Sequence, residues 1–278
     1  MRVATSIPDL STLLNSIPRP LGLVPTMGAL HDGHLALVEK ARRENQSLVA
    51  TIFVNPTQFG PQEDLSGYPR DENRDLDMLR QHGVDLVFAP TAEEMYPQGF
   101  DTWVDVGALG DRLEGAHRPG HFRGVATVVT KLFGLVRPDR AYFGQKDGQQ
   151  LAVIRRIVRD LNLGLEVVAV PTVRDPDGLA QSSRNAYLTP SQRKAAPVVY
   201  RSLCRAKTLW SNGERDADKL RAEVRAGLEG EPLVETIDYA SVAHAESLDE
   251  LDQASAGAMV SVAVRIGRTR LIDNLILE

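Results

Sequence analysis

Apolar residues along this chain fall into two alternating patterns. Short runs at residues 21–24 (LGLV), 47–54 (SLVATIFV), 85–89 (DLVFA), 140–143 and 165–173 (LEVVAVPTV) have the length and near-continuous hydrophobicity of strands buried on both faces. Between them, residues 8–15, 35–42, 70–81, 121–138 and 151–161 place apolar side chains at helical spacing. Ser6 is a candidate cap for the first of these, and Pro138 a stop for the fourth. Strands alternating with helices of these lengths predict a parallel, doubly wound, Rossmann-like α/β sheet. Residues 90–117 are less regular, with a short strand expected at 102–106.

The pattern changes near Val173. A polar, turn-rich segment (RDPDGLAQSSRN) leads into helical patterns at 191–210 and 216–228. Strand-like runs follow at 236–242, 258–266 and 270–277. Helices followed by consecutive strands predict a smaller C-terminal α+β domain, so the expected division is 1–172 and 173–278.

Composition adds limits. The chain has 278 residues and a formal charge of −5, which argues against a broad nucleic-acid surface. The single cysteine, Cys204, excludes an intramolecular disulfide and fits a reducing compartment. With no signal-peptide pattern and no run long enough to span a bilayer, a cytoplasmic protein without a membrane partner is expected.

Candidate chemistry concentrates in PTMGALHDGH, residues 25–34, a strand-to-helix turn. Ligands of open α/β sheets bind beyond the carboxyl ends of the strands. Gly28 and Gly33 allow close backbone approach, and His31 and His34 stand three apart at the helix start, where free N–H groups and the dipole favour an anion. A coincidental turn with one capping and one buried histidine explains the motif equally well in isolation; zinc lacks a third ligand nearby. Three more polar clusters end predicted strands: VNPTQF (54–59), FGQKDGQQ (143–150) and LAQSSRN (179–185). Each has a bland account, in which Gln58 stabilises its own loop, Lys146 pairs with Asp147, and Ser182 with Ser183 caps a turn. In a parallel sheet, however, such ends converge on one edge.

These motifs, with VNPTQFGPQEDLSGYPR (54–70) and LEGAHRPGHFRGVATVV (113–129), closely resemble the pantoate–β-alanine ligase family, across almost the whole chain and in order. The H-x-G-H and serine-rich elements occur more widely, in nucleotidyltransferases and class I aminoacyl-tRNA synthetases; the NPTQF, RPGHF and KDGQQ stretches narrow the match. The resemblance implies ATP-dependent condensation of pantoate with β-alanine through a pantoyl adenylate, with Mg²⁺ accompanying ATP and a homodimer as the assembly. It implies an ATP site from Met27, Gly28, Ala29, Leu30, His31, Asp32, Gly33 and His34, with His34 as proton donor. Gly144, Gln145, Lys146 and Asp147 continue that site, Lys146 carrying catalytic charge. Val173 holds adenine through its backbone, and Gln181, Ser182, Ser183 and Arg184 close over the phosphates from the smaller domain. Gln58 and Gln150 would hold pantoate, and Gln58 would also meet β-alanine. Asp75 is a candidate for a water-mediated Mg²⁺ contact, or else part of a solvated acidic helix face. Arg118, His121 and Arg123 are structural or line the site. Gln181 departs from the methionine usual in the family.

Two rival readings have discriminators. A nucleotidyltransferase that stops after nucleotidyl transfer needs a phosphorylated acceptor, for which Gln58 and Gln150 are poor ligands. A non-catalytic nucleotide-binding module needs far fewer polar groups. A tRNA synthetase lacks room here for an anticodon domain.

Overall fold

The computed structural model describes all residues except 62 and 64, which lie in the long loop at 55–70. In chain order its first elements are β1 (Arg2–Ala4), α1 (Ile7–Leu14), β2 (Leu21–Thr26), α2 (Asp32–Glu44), β3 (Ser47–Ile52), α3 (Glu72–Gln81) and β4 (Leu86–Phe88). Then come α4 (Ala92–Met95), α5 (Glu114–His117), α6 (His121–Val136), β5 (Arg140–Gly144), α7 (Gly148–Asp160) and β6 (Glu166–Val170). The remainder is α8 (Pro190–Ala195), α9 (Val198–Ser211), α10 (Ala217–Glu229), β7 (Val234–His244), β8 (Ala258–Ile266) and β9 (Thr269–Ile276).

The chain forms two compact units. One comprises Met1–Asp111, Arg118–Gly144 and Val153–Val170; the other takes Arg112–His117, Gln145–Ala152 and Pro171–Glu278. The first is built on a parallel sheet of order β1-β4-β3-β2-β5-β6. From β2 the chain moves to β3 on one side and later to β5 on the other, so the carboxyl end of β2 is a topological switch point. Val24, Leu48 and Ala50 from the strands pack with Leu30, Val38, Leu79 and Tyr142 in one buried cluster. Continuous burial of β2 and β3 explains why their sequences read as unbroken apolar runs.

Two local expectations change. Residues 102–106 form no strand; Thr127 Oγ1 accepts the Val104 N–H at 3.0 Å in place of a strand partner. The helix expected over 191–210 is two helices: Thr189 and Gln192 form a capping box for α8, and Pro197, which has no N–H to continue the ladder, separates it from α9.

In the second unit β7, β8 and β9 form an antiparallel sheet in that order. Leu203 of α9 and Leu220, Val224 and Leu228 of α10 share a buried cluster with Val242, Val260, Val262 and Val264 of the strands. Fully burying one such side chain is worth ~1.5–3 kcal/mol, so this cluster is the main source of that unit's cohesion.

Candidate active site

The loop after β2 is set by hydrogen bonds at both ends. Thr26 Oγ1 donates to the Thr51 carbonyl at 2.5 Å and accepts the Gly28 N–H at 3.2 Å. Gly28 then takes φ +78°, and a Cβ there would lie 2.9 Å from Asp75 Oδ2. Ala29 adopts a left-handed φ of 50°, a conformation that costs an L residue energy and must be held from outside. Asp75 of α3 holds it. Its Oδ2 accepts the Ala29 N–H at 2.8 Å and its Oδ1 the Leu30 N–H at 2.9 Å, while Arg74 donates to the Leu30 carbonyl at 3.2 Å. Asp75 is buried, at 1% exposure. It is thus not part of a solvated acidic face.

The two histidines share one device at the start of α2. His31 is the N-cap, its Nδ1 accepting the Gly33 N–H at 3.1 Å, and His34 Nδ1 accepts the His31 N–H at 3.4 Å. This is a capping box with imidazoles in both roles, the rings 4.1 Å apart. Because each Nδ1 accepts, the proton of each neutral ring sits on Nε2. The helix therefore carries two Nε2–H donors on its first turn, where its dipole favours negative charge.

Gln58 stands in a 3₁₀ turn, Pro56–Gln58, that follows β3. Asn55 governs the turn. Its Oδ1 accepts from the Thr57 hydroxyl at 2.9 Å and the Tyr96 hydroxyl at 2.8 Å. Its Nδ2 donates to Gln58 Oε1 at 3.0 Å and to the Gly124 carbonyl at 3.3 Å. Gln58 Nε2 contacts Met27 Sδ at 3.3 Å, joining this turn to the histidine loop. A Cβ on Gly124 would press on the Thr57 carbonyl, so α6 abuts the turn through bare backbone. Behind Gln58 runs a chain of polar groups. Arg118 donates to both oxygens of Glu63 at 2.6 Å and faces His121 Nε2 at 3.1 Å, and His121 Nδ1 contacts the Gln58 carbonyl at 2.9 Å. Since arginine only donates, His121 Nε2 accepts and Nδ1–H donates to Gln58. Burial pushes the Glu63 carboxyl upward, but the hydrogen bonds and charge of Arg118 outweigh it and hold Glu63 below its ordinary value. Arg123 lies over the Trp103 ring at 4.8 Å, a packing role.

The other candidates belong to the second unit, except Gly144, which ends β5 in the first. Lys146 Nζ is 3.6 Å from Asp147, a loose pair. Gln150 is half-buried on the first turn of α7. The Gln181 N–H donates to the Val173 carbonyl at 3.0 Å and its side chain to Asp175 at 3.2 Å, so Gln181 supports Val173 through its backbone. Ser182 caps the turn Ser183–Tyr187, its Oγ accepting the Arg184 N–H at 3.3 Å. In each cluster the local partner that the sequence allowed is present.

Sequence reasoning passed over Asn55 and the Glu114–Arg270 group, and named Asp75 without its part in holding the loop. Asn55 was legible as a side chain preceding a proline turn. Asp75 was legible from its place one helical turn before buried Leu79. In the second unit Glu114 pairs with Arg270 at 2.5 Å and accepts from the Tyr239 hydroxyl at 2.9 Å, Arg270 also binding Asp238 at 2.6 Å. Burial, then the Glu114 charge, push the Tyr239 phenol well above its ordinary value. Only the tertiary fold brings those residues together.

Residues 2–276 match the profile of the pantoate-beta-alanine ligase family. The pantothenate synthetase of Roseiflexus sp. strain RS-1 is 58% identical over 278 residues, the whole of both chains. That of Chloroflexus aurantiacus is 62% identical over 259 residues, 93% of this chain and 92% of the relative. Among solved structures, pantothenate synthetase from Thermus thermophilus superposes with a TM-score of 0.95 at 52% identity, covering 100% of this chain and 99% of that one. The pantoate-beta-alanine ligase of Francisella tularensis, described as complexed with beta-gamma ATP and beta-alanine, gives 0.81 at 33% identity over 99% and 97% of the chains.

Proposed function

The chain belongs to the pantoate–β-alanine ligase family, and on that footing we propose that it makes pantothenate from pantoate, β-alanine and ATP in two half-reactions. A carboxylate oxygen of pantoate attacks the α-phosphorus of ATP; the new C–O–P linkage forms as the bond to the β-phosphate oxygen breaks and pyrophosphate leaves. The β-alanine amine then attacks the activated carbonyl carbon, loses a proton, and AMP departs with the bridging oxygen.

The observation that carries this reading is the capping box of His31 and His34 at the start of α2, on a loop whose backbone is held by Asp75. Adenylyl transfer asks for positioning and for donors to oxygens that gain charge, and fixed imidazole donors on a helix N-terminus supply both. In this reading His34 delivers its Nε2 hydrogen to the reacting phosphate, and residues 27–33 line the nucleotide. Lys146 sets a point charge against the phosphates with Gly144, Gln145 and Asp147 beside it. Val173 meets adenine, and Gln181, Ser182, Ser183 and Arg184 meet the phosphates. Gln58 and Gln150 hold pantoate as neutral amides, which bind its oxygens without quenching the attacking carboxylate.

Mg²⁺ is implied by the triphosphate and would enter with it. No helix among the described residues is long and apolar enough to cross a membrane. A cytoplasmic setting fits the lone Cys204; a homodimer rests on the family resemblance alone.

The deciding experiment incubates the protein with ATP, Mg²⁺, pantoate and β-alanine and identifies products by mass. Pantothenate, AMP and pyrophosphate in equal amounts are expected, with pyrophosphate–ATP exchange that requires pantoate. Exchange that ignores pantoate, or ATP binding without AMP formation, overturns the reading.

A further inference from the structure

The loop that carries Lys146 has no regular structure of its own between β5 and α7. What holds it is one side chain on the last strand. Asn274 of β9 is buried, at 4% exposure, and donates Nδ2 to the Gln145 carbonyl at 2.9 Å and to the Lys146 carbonyl at 2.8 Å. Its Oδ1 accepts from Gln145 Nε2 at 3.1 Å. A primary amide offers two N–H groups and one carbonyl, and here both halves are spent on a single turn. Two successive carbonyls tied to one nitrogen fix the peptide planes on either side of Lys146, and hence the direction in which its side chain leaves the backbone.

Neighbouring contacts reinforce the seat. A Cβ on Gly148 would lie 2.6 Å from Met259 Sδ and 3.1 Å from Asn274 Nδ2, so the start of α7 rests directly on β8 and β9. Asp273, one residue earlier, accepts the Asn274 N–H at 2.8 Å. It also binds Arg174 through two bonds of 2.5 and 2.9 Å, and Arg174, stacked 3.7 Å over Tyr200, follows Val173 in the chain. Consecutive residues of β9 thus brace the Gln145–Lys146 turn and the residue that follows Val173.

We propose that Asn274 is a positioning residue for adenylate formation, acting through the backbone at Gln145 and Lys146 to aim the Lys146 ammonium. The proposal rests on the reading of Lys146 as a phosphate ligand. With Lys146 taken as a ligand of the two phosphates that leave as pyrophosphate, the effect falls on the first half-reaction. Groups that must be aimed lose rate when their supports are loosened, even where the fold survives.

The test compares Asn274→Ala and Asn274→Asp with Lys146→Ala in the full chain. Three quantities are read: pantoate-dependent pyrophosphate–ATP exchange, conversion of presynthesised pantoyl adenylate plus β-alanine to pantothenate, and thermal unfolding. Both Asn274 variants should lose tenfold or more in exchange while converting the adenylate within threefold of the parent. Asn274→Asp should fare no better than alanine, since a carboxylate keeps the size but has no N–H for two carbonyls. Unchanged exchange in either variant while Lys146→Ala is inactive overturns the role of Asn274 and leaves the Lys146 reading standing. Equal losses in both half-reactions, in step with a lowered melting temperature, reduce Asn274 to a structural residue and overturn the proposal. Full exchange in Lys146→Ala removes the premise itself.

Discussion

The two units hold their polar loops with opposite chemistry. In the first, the loop after β2 turns amide hydrogens inward, and its support is a buried carboxylate, Asp75, which only accepts. In the second, the loop after β5 turns carbonyls inward, and its support is a buried primary amide, Asn274, used mainly as a donor. The choice between Asp and Asn follows from which backbone groups the turn leaves unpaired, since a buried polar group without a partner is costly. Support also arrives from different distances. Asp75 lies 46 residues beyond Ala29, and Asn274 lies 128 beyond Lys146. The first loop therefore depends on contacts within its own half of the Rossmann-like sheet, the second on the last strand of the chain.

Substitutions graded by effect can break or sharpen this contrast. The largest losses should fall on the groups the loops carry: His34→Ala and Lys146→Ala should each cut pantoate-dependent exchange by roughly two orders of magnitude or more. Near-normal exchange in both would leave the loops without a chemical purpose. Next, Asp75→Ala strands two inward amides and should cost roughly 2–3 kcal/mol in denaturant unfolding, with weakened ATP binding. Asp75→Asn should recover only part, because its NH₂ must face one of those amides; full stability in the alanine variant would show that the first loop needs no acceptor. Gln58→Ala should raise the KM for pantoate about tenfold, in line with loss of one or two neutral hydrogen bonds, and leave that for ATP almost unchanged. The reverse split would assign the amide to the nucleotide.

The smallest effect concerns the Glu63–Arg118 clamp behind Gln58. Glu63 is held below its ordinary value of 4.5, so its contribution is fully present above that value and is lost as pH falls through the lowered one. The stability gap between parent and Glu63→Gln should be under ~1 kcal/mol at neutral pH for this partly exposed pair, and should close in acid. A gap that widens as the pH drops contradicts the assignment.

Much of this architecture was written in local patterns. The apolar runs of β2, β3 and β5 announced buried parallel strands, and the glycines and histidines after β2 marked the switch point before any topology was known. β1 escaped notice because three residues with one buried side chain, Ala4, carry no period. The break between α8 and α9 was visible as Pro197 but was overridden by the helical spacing on both sides. Asp75 sat in plain view within DENRDLD, yet an acidic run reads as a wet surface unless its single inward position is weighed against Leu79. Asn274, Glu114 and Arg270 had no local signal at all: Arg270 meets Glu114 across 156 residues and Asn274 meets Lys146 across 128. The same is true of the short stretches at 112–117 and 145–152, which join the second unit although the flanking chain belongs to the first.

Gly124 has one consequence for anyone altering this protein. Its missing side chain lies against the main chain of Thr57 and Gln58, which has no rotamer to turn aside. Even a methyl group would have to displace the NPTQ turn bodily, carrying Gln58 with it. A residue in the middle of a helix, with no reacting atom of its own, thereby becomes a dial on where the Gln58 amide stands.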